Sequence, residues 1–486
     1  MRPTLRLLDP DLCTHIADEA RGLLDTLGLE IHNPAVQDML LSEGARVDTV
    51  TTRVCLGGAL VDRAVASAPH DFRLHDVYGH ETHHLGGGNV YFTPGSAAIN
   101  ILDGETGAIR KPHTADYIRY VKVVSGLRHI ASQSTAFIPA DVPSPISDSY
   151  RLFLSLLYGE KPVITGAFTI EAFEVMKDLQ LAVRGSEPAL REKPLAIFSC
   201  CPTAPLKWSD VTSQNVVDCA RWGIPVEFIS MPLAGFMSPV TLVGSLVQQT
   251  AETLSGLVIS QLAKPGAPVL WGGSPAVFDI RYETTPMGAI ETMMIDCAFT
   301  EIGHALGLPT QAYIGLSDAK ALDAQAGLET GTGVMLAALS GIDSVSGPGM
   351  LDFESCQSLE KLVVDNEICG MAQRLIRGIE PRDDFPALPL FEELLRDKHL
   401  LIARHTRRHL RDEIAFPGSV IDRANLARWT EEGSVTLGER ARREVARLVD
   451  AYEPSRLGGD VRGELVRRME SEARRFGMDR LPEREE

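Results

Sequence analysis

No stretch of this 486-residue chain holds enough uninterrupted apolar residues to span a bilayer. The opening MRPTLRLLDPDLCTHIADEARGLL is charged throughout and lacks the apolar core of a signal peptide. None of the eight cysteines falls in a C-x-x-C pair, and most stand in apolar contexts, so they read as reduced core residues. Positive charge is also scarce. Lys and Arg number 47 against 65 Asp and Glu, a net charge of -18 that leaves nothing to balance a phosphate backbone. The basic runs RHTRRHLRDE and RARREVARLVD are interrupted by acids and read as solvated helix faces. These shortages point to a cytoplasmic protein with no membrane and no nucleic-acid partner. The rest, 44% hydrophobic and 23% charged, is ordinary globular composition, long enough for one large domain with additions or for two or three smaller ones.

Familiar catalytic signatures are missing as well. There is no G-x-S-x-G, no P-loop, and no G-x-G-x-x-G after the first strand. One string does match a metal motif: His80-Glu81-Thr82-His83-His84 reads H-E-x-x-H. That chemistry needs a helix, which brings the outer histidines onto one face with Glu as base. Here Gly79 stands before it and Gly86, Gly87 and Gly88 close behind, too few residues for a self-supporting helix. The third ligand is absent too, and alternation in FRLHDVY and NVYFT predicts a solvated hairpin with a histidine-rich loop. No metal site is expected.

From about residue 90, short β-rich runs alternate with helical patterns. The candidate strands are VYFT, HIASQS, PVITG, LAIFSC, VEFIS, VLWGG, QAYIG and SVSG, each followed by a helical stretch. This predicts an α/β protein, a (β/α)₈ TIM barrel over 89–380. An N-terminal helical region with the hairpin occupies 1–88, and a C-terminal helical extension 381–486. A doubly wound sheet shows the same alternation, but the count and the missing dinucleotide fingerprint favour a closed one.

Function in a barrel gathers where the strands end. Strand parity turns Gln311, Tyr313 and Ser317 inward, and likewise Glu227, Ser344 and Ser346. Glu227 is then either a site residue or half of a buried ion pair, because an unpaired acid inside is costly. Ser344 and Ser346, small and polar, read as structural more readily than as site residues. Trp271, near the end of its strand, is either core or site. Lys161 precedes its strand, and Lys320 lies beside Asp318, so neither suits a Schiff base.

The segments GLEIHNPAVQDMLLSEGARVD, VYFTPGSAAINILDGETGAIRKPHTADYIRYVKVVSGL, GLSDAKALDAQAGLETG, SLEKLVVDNEICGMAQRLIRGI and DAYEPSRLGGDVRGELVRRMESEARR resemble the trimethylamine methyltransferase family, in order, from about residue 15 to 475. The resemblance implies a (β/α)₈ enzyme moving a methyl group from an amine to the cobalt of a corrinoid on a separate small protein. It further implies no tightly bound cofactor, with cobalamin carried by the partner. The chain lacks pyrrolysine and resembles the branch whose members demethylate quaternary amines such as glycine betaine. In relatives the stretch before VYFTPG is a hairpin without metal chemistry. DKHLLI, residues 397–402, imitates the corrinoid-binding D-x-H-x-x-G but ends in Ile402 and sits in a helical run.

Displacement from R-NMe₃⁺ needs no general acid, which suits a chain without a triad or metal set. A quaternary cation is held by aromatic faces and nearby negative charge. The expected site therefore has Glu227 and Asp318 as its acids, the catalytic candidates. Trp271, Tyr313, Ser317, Ser344, Ser346 and, more weakly, Phe92 are the substrate-binding candidates. A homo-oligomer is expected. Two alternatives stay open: another small-molecule barrel enzyme such as a lyase, and a noncatalytic betaine-binding protein.

Overall fold

A computed structural model describes residues 2–484. Eight short strands run parallel: β1 (Tyr91–Thr93), β2 (Gln133–Ser134), β3 (Val163–Thr165), β4 (Ala196–Cys200), β5 (Val226–Phe228), β6 (Val269–Leu270), β7 (Gln311–Tyr313) and β8 (Ser344–Ser346). Each falls within one of the runs read from the sequence. Each is followed by a helix: α1 (Thr114–Gly126), α2 (Ser147–Tyr158), α3 (Ile170–Arg184), α4 (Asp210–Trp222), α5 (Leu242–Ala263), α6 (Ile290–Ala305), α7 (Ala324–Ser340) and α8 (Leu359–Ile376). Local chemistry sets their ends. The side chains of Thr169, Ser209, Asp323 and Ser358 accept from first-turn backbone N–H groups of α3, α4, α7 and α8. Gly185, Gly223 and Gly341 take the left-handed conformation that stops α3, α4 and α7.

The strands form two sheets, one ordered β6-β5-β4-β3-β2 and the other β7-β8-β1. Individual backbone bonds cross between their edges. At one seam Trp271 N–H donates to Pro309 O (2.8 Å) and Gln311 N–H to Trp271 O (2.9 Å). At the other, Ala131 N–H donates to Phe92 O (2.8 Å), and Ala98 bridges Phe137 in parallel. The fold is thus mixed α/β with a parallel core.

The histidine-bearing stretch is a β-hairpin, but its partner strand is not the one expected. Phe72–His75 pairs antiparallel with Glu81–Leu85, so the histidines form the second arm rather than the loop, and NVYFT supplies β1 instead. The hairpin lies at the N-terminal ends of the strands, where His75 N–H donates to Pro194 O and Val77 N–H to Glu160 O (2.9 and 3.0 Å). Its Phe72, Leu74 and Leu85 pack with Ile164, Ile197 and Leu270 as a separate apolar cluster against Tyr91. The histidines point to different partners: His80 Nδ1 to Asp76 (3.1 Å), His84 Nε2 to Asp71 (2.9 Å), His83 Nε2 to Ser132 (2.9 Å). His83 is buried, not solvated. Burial holds its imidazole down at about 3, so it stays neutral.

One hydrophobic cluster includes residues from all three segments, from Ile16 and Leu24 through the strands to Val445 and Met469. Helix Leu437–Asp450 packs on α8 and α1, and Gly459–Arg475 on α2 and α3, so the end of the chain lies on the outside of the helical layer. Earlier in this segment, helices Leu388–Asp397 and Arg404–Glu413 bury no residue. DKHLLI falls not within a helix but where one ends: Lys398 takes φ 63° after Asp397, and Asp397 to His399 are exposed. Among the described residues no helix is long and apolar enough to cross a membrane.

Candidate active site

Pairing register decides which side chains face inward. Tyr91, Ser344 and Gln311 lie in one rank across β1, β8 and β7, and Thr93, Ser346 and Tyr313 in another. The intervening rank, Phe92, Val345 and Ala312, belongs to the main core under the helices. In the larger sheet Ser199, Glu227 and Leu270 share an inward rank, while Phe198, Val226, Phe228 and Val269 join the main core.

Glu227 is fully buried. Ser199 Oγ donates to one carboxyl oxygen at 2.6 Å, and the other oxygen has no partner. Burial pushes this carboxyl up to about 7, against the Ser199 bond. A second acid converges on it. Glu354 sits in the turn after β8, with its Oε1 buried and unpartnered and the Ser96 backbone N–H donating to its carboxyl. Burial and the nearby Glu227 charge push Glu354 well above the usual range. The backbone that delivers it is strained. Asp352, Phe353 and Glu354 take φ of 51, 54 and 69°, a conformation costing a non-glycine residue about 1–2 kcal/mol.

Tyr313 lies between the acids electrostatically: burial, then Glu227 and Glu354, raise its phenol well above normal, so it stays protonated. Its hydroxyl is 3.2 Å from Ser96 Oγ. Burial, with smaller contributions from Cys200, Glu227 and Glu354, pushes the Cys201 thiol up to about 12, which rules it out as a thiolate nucleophile. Around them are more unanswered polar atoms: both amide atoms of Gln249, Nε2 of Gln311 and Oγ of Ser346. Glycine lets the amides close in, since a Cβ on Gly273 would lie 2.1 Å from Gln249 Nε2 and one on Gly272 would lie 2.4 Å from Gln311 Oε1. Among the described residues no basic side chain acts on either carboxyl. Two acids buried together without a cation face an uncompensated desolvation cost unless protonated or met by a positive ligand.

Other candidates go elsewhere. Trp271 faces the helices, its Nε1–H donating to Phe299 O (3.0 Å) and its ring stacked on Phe299 at 4.8 Å. Phe92 is likewise in the helix-facing core. Both are turned away from the inward acids because each stands one residue off the inward rank. Asp318 accepts from the Met287 and Gly288 backbone N–H groups (3.0 and 2.9 Å) and ties the loop before α6 to the end of β7; burial raises its carboxyl to about 6. Ser317 Oγ donates to Glu329 (2.6 Å), within that latch rather than toward Glu227. Ser344 is buried in the lower inward rank. Lys161 donates to the carbonyls of Val124, Leu127 and Ile130 (2.7, 2.7 and 2.6 Å), closing the end of α1, and burial lowers its amine to about 7. Lys320 Nζ donates to Asp318 O and lies over the Phe353 ring.

Glu227, Tyr313 and Ser346 are thus brought together. Sequence reasoning missed Glu354, Gln249 and Ser96. Glu354 lies just beyond SGPGM, and only its left-handed backbone turns it inward; Gln249 comes from a helix, which strand parity does not cover.

The family model for trimethylamine methyltransferase (MTTB) matches residues 1–476. A trimethylamine methyltransferase MttB of Desulfitobacterium hafniense is 28% identical over 458 residues, covering 94% of this chain and 92% of its own. A glycine betaine methyltransferase of the same species is 28% identical over 465 residues, covering 95% and 96%. MttB of Methanosarcina barkeri is 29% identical over 455 residues, covering 89% and 88%. The crystal structure of the Methanosarcina barkeri monomethylamine methyltransferase (MtmB) superposes with a TM-score of 0.52 at 12% identity, covering 92% of this chain and 89% of that one, a likeness of fold.

Proposed function

The chain belongs to the trimethylamine methyltransferase family, and we propose that this methyltransferase demethylates a methylated ammonium cation held against Glu227 and Glu354, a quaternary amine of the glycine betaine kind. The observation that carries this reading is the pair of buried carboxyls with no basic partner. A quaternary ammonium cannot donate an N–H bond, so the attraction must come from negative charge and ring faces. Tyr313 is the aromatic side chain in the inward rank beside both acids. Cation binding would lower both carboxyl pKa values and satisfy the oxygens that now lack partners.

Full burial of Glu227, and of Oε1 on the half-buried Glu354, limits water there and strengthens their hold on the cation. No residue need protonate the leaving amine, which departs neutral. When bound, a Co(I) corrinoid supplies the electron pair that takes the methyl group, while the C–N pair stays with the departing amine. Among the described residues the corrinoid-like stretch forms no cradle for that group. That stretch is an exposed turn whose Asp397 is engaged by Arg396 (2.9 Å). We therefore assign the corrinoid to a separate protein. The loops after β3, β5 and β6 expose Phe168, Phe236, Val240, Ile280 and Tyr282, and the first turns of α7 expose Leu328, an apolar rim suited to docking it.

The bonds across both sheet seams support closure of the eight strands into a (β/α)₈ barrel flanked by the segments 1–88 and 381–486. Eight unpaired cysteines support a cytoplasmic setting. Exposed Leu388, Phe391 and Leu395 offer a surface for a homo-oligomer.

The test is methyl transfer to free Co(I) cobalamin from a panel of quaternary, tertiary and secondary amines, followed by the cobalamin spectrum. Transfer from a quaternary amine, needing far more amine in Glu227→Gln, is expected. Tight binding without transfer would make the chain a betaine-binding protein, and turnover without any corrinoid would make it a different enzyme.

A further inference from the structure

We propose that Asp383, His405 and His409, with Asp384 as a fourth donor, bind one divalent transition-metal ion of the zinc class. This site is independent of the methyl-transfer reading and lies in the C-terminal extension. His405 and His409 stand four apart on helix Arg404–Glu413, so their rings share one face, with centroids 5.0 Å apart. The chain leaving α8 brings two carboxylates to that face. Asp383 Oδ1 is bonded to His409 Nε2 and lies 3.8 Å from His405 Nε2, and Asp384 Oδ1 is also 3.8 Å from His405 Nε2. One donor atom from each of Asp383, His405 and His409 falls within 4.8 Å of the others.

His405 Nε2 is itself buried and has no hydrogen-bond partner. It sits between two carboxylate oxygens at a separation too long for a hydrogen bond. Around a tetrahedral zinc ion with bonds of about 2.0–2.1 Å, neighbouring donor atoms lie about 3.3 Å apart. The His405 separations are slightly wider than this and the Asp383–His409 contact well inside it, so side-chain adjustments of about an ångström close the three-residue set, and Asp384, outside that group, has to turn in as the fourth donor. Arg408 Nη1 approaches the other Asp383 oxygen at 3.3 Å, which leaves Oδ1 for the ion and orients the carboxylate. Two neutral imidazoles and two carboxylates balance the charge of a divalent ion.

The setting gives such an ion a purpose. Helices Leu388–Asp397 and Arg404–Glu413 bury no side chain, so apolar packing does little to hold them, and a metal would cross-link Arg404–Glu413 to the segment entering Leu388–Asp397. This departs from the expectation of no metal, which rested on the hairpin motif. Here the helix that H-E-x-x-H lacks is present beneath the same four-residue spacing, and the further ligand Asp383 comes from the chain upstream.

The test uses the full chain, stripped with chelator and titrated with Zn²⁺ by calorimetry, with Co²⁺ as a spectroscopic probe of tetrahedral coordination. One equivalent should bind, the doubly substituted His405→Ala/His409→Ala chain should lose at least a hundredfold in affinity, and His80→Ala/His84→Ala should bind as the parent does. Because these side chains support no core, Asp383→Asn gives a second, milder variant expected to weaken binding. Amide exchange over residues 404–413 should slow on adding Zn²⁺ in the parent and stay unchanged in the double variant. Absence of stoichiometric binding, or binding that survives the double substitution, would overturn the proposal.

Discussion

Asp365 and Glu227 are equally hidden from water, at 1% and 0% exposure, yet they sit in opposite circumstances. Asp365, on α8, is met by Lys361 Nζ and the Gly349 backbone N–H (2.7 Å), and Lys361 in turn donates to Thr330 (2.7 Å). Glu227 has one hydroxyl, an unanswered oxygen and another acid nearby. Burial alone does not set Glu227 apart from Asp365; the missing answering charge does. The first arrangement is complete within the chain, and the second would, on the proposed reading, be completed by a cationic ligand.

The sharpest way to break this contrast is to make the structural site resemble the other. Lys361→Met leaves Asp365 buried without its cation and should cost about 3–5 kcal/mol, read as a lower denaturation midpoint. Trp271→Ala, which empties a place in the helix-facing core, should cost a similar 3–5 kcal/mol while the folded fraction keeps its KM. A large rise in KM with little loss of stability would return Trp271 to the site.

Glu227→Gln should do the reverse, holding or raising stability while weakening cation binding by about 2 kcal/mol or more, roughly thirtyfold. Its pH dependence has a definite sign. With the folded pKa raised to about 7 from 4.5, Glu227 contributes stability fully present below pH 4.5 and lost as pH rises toward about 7. Affinity for the cation should move oppositely, improving as the carboxyl ionises, and both trends should flatten in Glu227→Gln when followed by melting and calorimetry. Tyr313→Leu comes next. Loss of one desolvated cation–π contact, about 0.5–2 kcal/mol, should raise the Kd for a quaternary amine by roughly two- to thirtyfold. Smallest of all, His80→Ala and His84→Ala alter exposed pairs with Asp76 and Asp71 and should shift stability by no more than about 0.5 kcal/mol.

Much of this layout was legible in the sequence because strand period and helix period are local properties. The eight strands surfaced as β-rich runs, and parity alone turned Glu227, Tyr313 and Ser346 inward. Parity also had the information to exclude Phe92 and Trp271: each adjoins an inward residue, Tyr91 or Leu270, and must point the other way. Treating an aromatic near a strand end as a site residue overrode that rule. Glu354 was not legible, because its direction depends on three consecutive left-handed residues that no composition signal announces. The hairpin is legible from alternation in FRLHDVY, with glycines excluding a helix, but its second arm is misplaced because β1 offers equally good alternation a few residues later.

The apolar cluster of Phe72, Leu74, Leu85, Ile164, Ile197 and Leu270 fills the strands' interior on the hairpin side, reaching Glu227 through its register partner Leu270. On the proposed reaction it makes the site a blind alley, with one doorway shared by the amine and the protein that receives its methyl group. Traffic then has to queue. The amine enters before the partner seats itself, and the demethylated product waits until the partner lifts away, so an excess of partner should slow turnover by blocking the way in and the way out.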